Sequence, residues 1–409
     1  MHFVGPDQFH GFEDRLTTEI YPADMSWTSD PNLAGKTAGD NQGHGFGVST
    51  IDTVKDAGPV ARSMQIDYDQ DVVHHAVRKI YDRARSDDKR PFMLTVSLTQ
   101  PHDPYVTTQE FWDLHPDEAI DDPRVPPIPV ENRDPHSQSV YYHYSQHKCE
   151  VSQQDYGNAR RGYYGMVSQT DAHLGQVMQA IETAGFQENT VIVFTSDHGD
   201  MMGERGIWFK KTLYDPAIQV PLIIAQPNQT AARKTSPVSL LDIFPTLLEI
   251  GGVGETAITS QIDGQSLCHG ERTGPILVEH LDGGTAAPRV CVRNGDWKLV
   301  VSLAYPAMLY NLADDPLELN NLAGKEPDIE AELTSIADIN WSLEKVQTAM
   351  EASQRERKLV DAALAIGRQE CWDYTADTRW QSANYVRRGD TFPEIERRGY
   401  LECKTKTPN

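Results

Sequence analysis

The sequence predicts an α/β fold: a mostly parallel β-sheet flanked by helices, then a smaller antiparallel subdomain and a docked tail. Three observations lead to this class. Strand-length apolar runs alternate with helical periodicity through residue 252, which is typical of parallel sheets with helical connections. After residue 270 short apolar runs are separated by turn residues. After residue 370 aromatic and charged residues follow without periodicity. We therefore divide the chain into residues 1–285 and 286–409.

In the first part, three segments have apolar residues at helical spacing and three have the unbroken apolar runs of buried strands. The predicted helices are 69–85, 158–184 and 239–252, and the predicted strands are 91–98, 191–197 and 220–227. Pro101 and Pro104 predict an extended loop after the first of these strands. Residues 106–157 are rich in Pro, His and Tyr, so we expect a long excursion outside the core.

In the second part, the segments PILVEHL and RVCVRNGDWKLVV predict short antiparallel strands, with a tight turn at Asn294-Gly295. Residues 327–366 predict helical structure. The tail lacks periodicity, but Trp372, Trp380 and Tyr385 favour a docked segment over a disordered one.

Composition excludes several classes of partner. The formal net charge is −23, which repels nucleic acid and anionic membranes, and no apolar stretch approaches a membrane-spanning length. An anion site must therefore be built locally from cations. The five scattered cysteines have no zinc spacing and no Cys-x-x-Cys pair, and the N-terminus has no signal-peptide pattern. We expect reduced thiols and a cytoplasmic location.

Candidate site residues follow two of the predicted strands. Asp197 and His198 end the most apolar strand, and His102 and Asp103 follow the strand over 91–98. Ligands of open α/β sheets bind at the carboxyl ends of strands, and Asp oxygen and His nitrogen both bind divalent cations. Lys210 could return to the same place and hold an anionic oxygen. On spacing alone another interpretation stays open, in which Asp197 caps a helix and His198 lies on a surface loop.

The motif FTSDHGDMMGERGIWFKK followed by VPLII resembles the sulfatases of the alkaline phosphatase superfamily, and LYNLADDPLELNNLAG resembles their C-terminal signature. The segments MHFVGPDQFHGF, SWTSD and TQPHDPY and the tail are similar to the choline-sulfatase branch of that family. The resemblance covers nearly the whole chain. It implies a sulfuric ester hydrolase that acts on choline sulfate or a similar small ester.

The resemblance also implies roles for single residues. Asp197 and His198 would be ligands of a divalent metal, calcium or a related ion such as manganese or magnesium, and Lys210 would bind a sulfate oxygen. His102 would bind the sulfate or protonate the leaving alcohol. His2 would match a histidine that steadies the nucleophile.

One departure from the family pattern concerns that nucleophile. The chain starts inside the block that contains His2, and none of its cysteines lies in a Cys-x-Pro-x-Arg motif, where the family forms formylglycine. We therefore expect an N-terminally incomplete chain, whose parent protein carries formylglycine and which is inactive alone. Without that residue, covalent catalysis by this route is impossible.

For the choline group, the resemblance implies Trp27, Glu279 and Asp390, because a quaternary ammonium is held by aromatic faces and acids. The family's tail reaches a neighbouring subunit's site, which implies a homo-oligomer. The segment after Trp27 lacks the expected tryptophan-rich run and offers only His44 and Phe46. Two alternatives remain, a phosphonate or phosphodiester hydrolase of the same superfamily and a non-catalytic domain that binds a partner.

Overall fold

The computed structural model describes residues 3–24, 49–254, 261–268, 270–281, 285, 287–367, 371–375, 393 and 397. Within these residues the α-helices are α1 (Ile51–Lys55), α2 (Met64–Arg85), α3 (Gln109–Trp112), α4 (Pro135–His143), α5 (Gln153–Thr183), α6 (Asp215–Ile218), α7 (Ile243–Ile250), α8 (Pro327–Asn340) and α9 (Leu343–Ala365). The strands are β1 (Gly58–Pro59), β2 (Val106–Thr107), β3 (Ile192–Thr195), β4 (Leu222–Ala225), β5 (Ile276–His280), β6 (Arg289–Asn294), β7 (Trp297–Ser302) and β8 (Met308–Asn311). Short 3₁₀ turns lie at Asp117–Ala119, Val130–Asn132, Gln146–Lys148, Gln187–Asn189, Glu204–Gly206 and Leu240–Asp242.

The two long helices of the first part, α2 and α5, form where periodicity predicts them. Side chains cap both N-termini: Ser63 Oγ accepts from the Ile66 N–H, and Ser152 and Asp155 form a reciprocal capping box. Val73, Ala76 and Ile80 of α2 pack with Val177 and Ala180 of α5 in one apolar cluster. Burial of this shared face holds the two helices together.

The described strands form three sheets. β1 pairs with β2 in parallel, and β3 pairs with β4 antiparallel, with Thr195 opposite Leu222. The C-terminal sheet has the order β5-β6-β7-β8 with antiparallel pairs, as predicted. Asn294 pairs with Trp297 across a tight turn, where Gly295 has φ 59°. α8 covers this sheet through Leu333 and Ala337, which belong to the apolar cluster around Val290 and Leu299.

Two local predictions are wrong. No strand is assigned to residues 91–98 in the described structure, although Leu94, Val96 and Leu98 pack on α2 and α5. The apolar side chains of this segment contact the two helices, and its backbone pairs with no strand of the described structure. The segment 106–157 is not an excursion, because Val106, Val140 and other side chains of this segment are fully buried.

The predicted division at 285/286 stays a prediction. The antiparallel sheet begins before it, since β5 pairs with β6 along Ile276↔Arg293 to His280↔Arg289. The described part of the tail is docked, as expected. Asp373 Oδ1 accepts from the Ala23 N–H at 2.8 Å, and the Tyr374 hydroxyl donates to the Arg15 carbonyl at 2.8 Å.

The largest apolar cluster surrounds the loop that follows β3. Met201, Ile207, Trp208 and Phe209 are all buried in it, together with Tyr105 and side chains of α1, α4 and α5. Among the described cysteines, Cys149, Cys268 and Cys291 are free thiols. Among the described helices, none combines the length and apolar character needed to cross a membrane.

Candidate active site

The end of β3 delivers Asp197 and His198 to the surface. The Asp197 side chain is 85% exposed and that of His198 32% exposed. Asp197 Oδ1 accepts from the His198 backbone N–H at 2.9 Å. The next helical turn in the described chain begins at Glu204, so Asp197 caps no helix and that part of the alternative is wrong. His198 lies in a loop and is partly exposed, as the other part expected.

Gly199 lets the backbone leave the strand at close range. Its N–H donates to the Ala217 carbonyl at 2.8 Å, and a Cβ at this position would lie 2.1 Å from the Pro216 carbonyl oxygen. No side chain fits at that distance, so glycine is required here by a backbone contact.

Two imidazole rings direct lone pairs toward one point. His198 Nδ1 lies 2.8 Å from the Gly199 carbonyl oxygen, and His102 Nδ1 lies 2.8 Å from the Asp103 carbonyl oxygen. Because a carbonyl only accepts, we assign the proton of each neutral ring to Nδ1. Each Nε2 then carries a lone pair, available to a cation or a proton.

Lys210 occupies the point where the two rings converge. Its Nζ lies 2.7 Å from His198 Nε2 and 3.1 Å from His102 Nε2. Burial lowers the pKa of Lys210, while the carboxylates of Asp103 and Asp197 oppose that shift. Burial and the charge of Lys210 lower the pKa of His102 to about 3, so the ring is neutral near pH 7. The structure thus brings together four sequence-predicted residues, His102, Asp197, His198 and Lys210.

The carboxylate of Asp200 and its three hydrogen-bond donors form a polar clamp, which holds the loop after β3 so that Lys210 lies beside the two histidines. Asp200 Oδ1 accepts from the N–H groups of Met202 (2.8 Å) and Phe209 (3.1 Å), and its Oδ2 accepts from the Tyr105 hydroxyl (2.8 Å). Phe209 and Lys211, which flank Lys210, both have positive φ, 66° and 69°. Such backbone costs about 1–3 kcal/mol per residue and persists only where the surroundings enforce it. Here the clamp and the buried Phe209 enforce it.

A second acid, Asp103, anchors the loop that carries His102. The Asp103 side chain is buried, and its oxygens accept from Ser49 Oγ at 2.7 Å and Thr53 Oγ1 at 3.0 Å. Sequence reasoning found no role for Asp103 as an anchor or Asp200 as a clamp. Both acids stand beside predicted site residues in the sequence, which was the available signal.

Of the remaining predicted residues the structure describes only Glu279, and no described contact joins it to these four. Glu279 lies on β5 with an exposed side chain, and its Oε2 accepts from Trp341 Nε1 at 2.9 Å. His2, Trp27 and Asp390 lie outside the described residues, so their predicted roles stay predictions.

The donors suit a divalent metal as a pair. Asp197 offers an exposed hard oxygen, and His198 would offer its Nε2 lone pair once Lys210 Nζ, which lies 2.7 Å from it, moves toward a bound anion. Within the described ranges, no group of three or more His, Cys, Asp or Glu side chains is placed to hold a metal. The two residues therefore fit as part of a ligand set.

The sequence is similar to those of known sulfatases. The sequence profile of the Sulfatase family matches residues 11–253, and that of the C-terminal region of N-sulphoglucosamine sulphohydrolase matches residues 203–347. The choline-sulfatase of Rhizobium meliloti is 38% identical over 412 aligned residues, which cover 97% of this chain and 79% of that protein.

Two solved structures share the fold. The phosphonate monoester hydrolase of Agrobacterium radiobacter has a TM-score of 0.53 and 24% identity, covering 69% of this chain and 61% of its own. A 2-O GAG sulfatase has a TM-score of 0.53 and 21% identity, covering 73% of this chain and 68% of its own. These likenesses confirm the predicted α/β fold class, with its antiparallel sheet near the C-terminus. Since the family profile covers more than half of the chain and a relative is 38% identical, the chain belongs to the sulfatase family of sulfuric ester hydrolases.

Proposed function

We propose that this chain carries the catalytic centre of a hydrolase that releases sulfate from choline sulfate or a similar small sulfate ester. The observation that supports it most is the convergence of two imidazoles on one ammonium. His198 Nε2 lies 2.7 Å and His102 Nε2 3.1 Å from Lys210 Nζ. The site supplies a fixed cation and proton-carrying groups at one point, as the cleavage of an anionic ester requires.

In this proposal Lys210 binds a sulfate oxygen. Its ammonium is held between two imidazoles rather than by a carboxylate, so its charge is not cancelled by a direct ion pair in the described site. A cation fixed in a partly buried site stabilises anionic charge without reorganising. The overall charge of −23 gives no long-range attraction, so this local cation matters more.

His102 would hand a proton to the leaving alcohol oxygen. Its Nδ1–H is committed to the Asp103 carbonyl, so the proton must be carried on Nε2, which faces Lys210 at 3.1 Å. The neutral ring carries no proton on Nε2, so a proton would have to come to Nε2 from solvent when the anionic ester binds, because nearby negative charge favours the imidazolium. That proton would pass to the alcohol oxygen as the S–O bond breaks, and Lys210 keeps its charge. An alkyl leaving group needs this proton because a free alkoxide is a strong base.

Sulfatases use a divalent metal ion and a formylglycine. We propose that Asp197 and His198 are two of the metal's ligands. The metal would supply positive charge to a sulfate oxygen. The printed sequence contains no Cys-x-Pro-x-Arg motif, so assays should compare the chain as printed with a form that carries this motif ahead of residue 1, the extended protein.

For the alcohol part of the substrate we propose choline. The 38% identical relative is named a choline-sulfatase. Trp27, Glu279 and Asp390 would face the quaternary ammonium, with Asp390 coming from a neighbouring copy of the chain in a homo-oligomer. Glu279 is exposed and bonded to Trp341, so a carboxylate beside an aromatic ring is available on β5.

A substrate panel tests the proposal on the extended protein. Sulfate release from choline sulfate should exceed that from 3,3-dimethylbutyl sulfate by about tenfold or more. In this analogue an uncharged tert-butyl group of the same shape replaces the trimethylammonium group. Equal rates for the two esters would remove choline as the substrate. No sulfate release from either ester, or from an aryl sulfate, would overturn the sulfatase activity itself.

The same panel separates the alternatives. A metal and a lysine suit any tetrahedral anion, so phenyl phosphonate and diester analogues of the aryl sulfate should be run beside it. Faster turnover of the phosphorus esters would favour the phosphonate or phosphodiester hydrolase. No turnover of any ester, with a soluble and oligomeric protein that binds no divalent metal, would favour the non-catalytic domain.

A further inference from the structure

A cavity of about 300 Å³ lies beside the loop after β3, and none of the four assembled site residues lines it. Its walls come from that loop, through Met201, from α6, through Pro216, and from the turn after β8, through Leu312 and Leu317. This volume is at the lower end of the range of small-molecule sites, about 300–1,000 Å³.

The acids in the wall already have hydrogen-bond or ion-pair partners. Glu204 accepts from the backbone N–H groups of Arg124 and Val125 at 3.0 and 2.8 Å. Asp215 and Glu318 share the ammonium of Lys298, at 2.6 and 2.7 Å. These carboxylate oxygens are therefore engaged by groups of the protein.

Three guanidinium groups line the same cavity, and two of them have few hydrogen-bond partners within the described protein. Arg205 donates to the Leu317 carbonyl at 2.6 Å, so it is engaged. Arg293 makes only long contacts, 3.8 Å from Nη1 to Asp215 Oδ2 and 3.4 Å from Nε to the Gly295 carbonyl. The Arg124 side chain has no hydrogen-bond or ion-pair partner among the described residues. A guanidinium offers five N–H donors in a fork that matches a carboxylate.

We propose that this cavity binds a small organic carboxylate, with its anionic group between Arg124 and Arg293 and its apolar body against Leu312, Pro316 and Leu317. The apolar wall favours an organic acid over an inorganic anion, because only the former buries carbon surface there. The site is built from local cations in a chain of net charge −23.

The ligand would also touch the frame of the active site. Pro216 lines the cavity, and its carbonyl oxygen is the atom that a Cβ on Gly199 would meet at 2.1 Å. Met201, another lining residue, donates its N–H to the Phe209 carbonyl at 2.8 Å, one residue before Lys210.

Calorimetric titration of the chain with benzoate, and separately with inorganic sulfate, tests the proposal. We expect saturable benzoate binding at least tenfold tighter than that of sulfate. Arg124→Gln and Arg293→Gln should each weaken benzoate binding about tenfold, since each removes a charged donor. Arg233→Gln, which changes an exposed guanidinium outside the cavity, should leave the Kd unchanged.

Three results of these titrations would overturn the proposal, and a fourth comes from the Lys210→Ala variant. The first three are no saturable benzoate binding, equal binding of benzoate and sulfate, and benzoate binding that neither cavity variant weakens. Arg124 is exposed, so its variant folds even if Arg293→Gln does not, and the test then rests on Arg124→Gln. The Lys210→Ala variant, titrated in parallel, should keep benzoate binding. Loss of that binding would place benzoate at the active site and contradict the proposal.

Discussion

The Nδ1 hydrogen bonds of His102 and His198 decide what the centre can do. Each ring donates its Nδ1–H to the backbone carbonyl of the next residue, which is Asp103 for His102 and Gly199 for His198. Both reactive nitrogens are therefore fixed on the side of Lys210. The tautomer is set by local backbone and not by a distant partner.

Removing the His102 imidazole should affect substrates according to their leaving groups. In the extended protein, His102→Ala should lower kcat for choline sulfate by about 10²–10³-fold and for 4-nitrophenyl sulfate by less than about tenfold. The nitrophenolate can leave as an anion, whereas the choline oxygen must be protonated as it leaves. His115→Ala, which removes a half-buried histidine bonded to Ser168, is the control. Equal losses for both esters would show that His102 does not protonate the leaving group.

Gly199 is the residue at which a methyl group should do most harm. Gly199→Ala places a Cβ 2.1 Å from the Pro216 oxygen and should lower the free energy of unfolding by about 1–3 kcal/mol or more. Gly175→Ala meets nothing within 4 Å on α5 and should raise it by about 0.5–1 kcal/mol. Urea unfolding measures both. A Gly199→Ala variant as stable as the unaltered chain would contradict the close contact.

At the scale of elements, periodicity predicted the long helices well, whereas one of the predicted strands is not formed among the described residues. α2 and α5 carry their own caps and apolar faces, so local sequence is enough to place them. A strand needs a partner, and residues 91–98 have a strand's pattern without a ladder in the described structure. Single buried side chains such as Val140 depend on which surface the chain crosses, which sequence spacing does not give.

In the candidate site too, some residues could be placed from local sequence and others only from tertiary contacts. Asp197 and His198 were predictable because they follow β3. His102 was identified from a predicted strand that the described structure does not form, and Lys210 from its position in the loop after β3. Asp103 receives its hydrogen bonds from Ser49 and Thr53, residues that are 54 and 50 positions away. Such partners are brought near by tertiary structure alone.

Helix α2 also carries a buried acid that links stability to pH. Asp69 is fully buried, and burial raises its pKa to about 7 from 3.8, although the N–H groups of Thr99 and Gln100 donate to it. The folded chain therefore holds this proton more tightly than the unfolded chain. The contribution of Asp69 to the free energy of unfolding is therefore largest below the pKa that Asp69 has in the unfolded chain. It falls as the pH rises toward 7.

Replacing this acid should flatten that dependence. Between about pH 5.5 and about pH 7.5, Asp69 contributes a loss of about 2 kcal/mol in the free energy of unfolding. Asp69→Asn should remove most of this change, although it also loses one acceptor oxygen at both pH values. Urea unfolding at the two pH values gives the difference for each protein. The same difference in both proteins would show that Asp69 does not titrate in this range.

On the scale of the whole molecule, the tail joins the two ends of the chain. Tyr374 and Asp373 bond to the backbone of Arg15 and Ala23, and the Arg15 guanidinium lies 5.3 Å from the Tyr374 ring and 5.2 Å from that of Phe3. The docking predicted from the tail's aromatic residues is thus built from backbone hydrogen bonds and one sandwiched arginine.

Loss of one of these bonds should be measurable. Tyr374→Phe keeps the ring beside Arg15 and removes the hydroxyl, so the free energy of unfolding should fall by about 0.5–1.5 kcal/mol. Tyr142→Phe removes an exposed hydroxyl with no hydrogen-bond partner among the described residues and should change it by less than about 0.5 kcal/mol. Chemical unfolding of both variants measures this. Equal stability of Tyr374→Phe and the unaltered chain would mean that the tail does not dock in solution.

The central claim is that Lys210, held between two imidazoles, is the anion-binding cation of a sulfatase centre. The most direct measurement is kcat/KM for sulfate release from choline sulfate by the extended protein and its Lys210→Ala variant. We expect a loss of at least about 100-fold. Lys325→Ala, an exposed lysine outside the site, should leave kcat/KM unchanged. A folded Lys210→Ala variant with kcat/KM within about tenfold of the unaltered protein would contradict the claim.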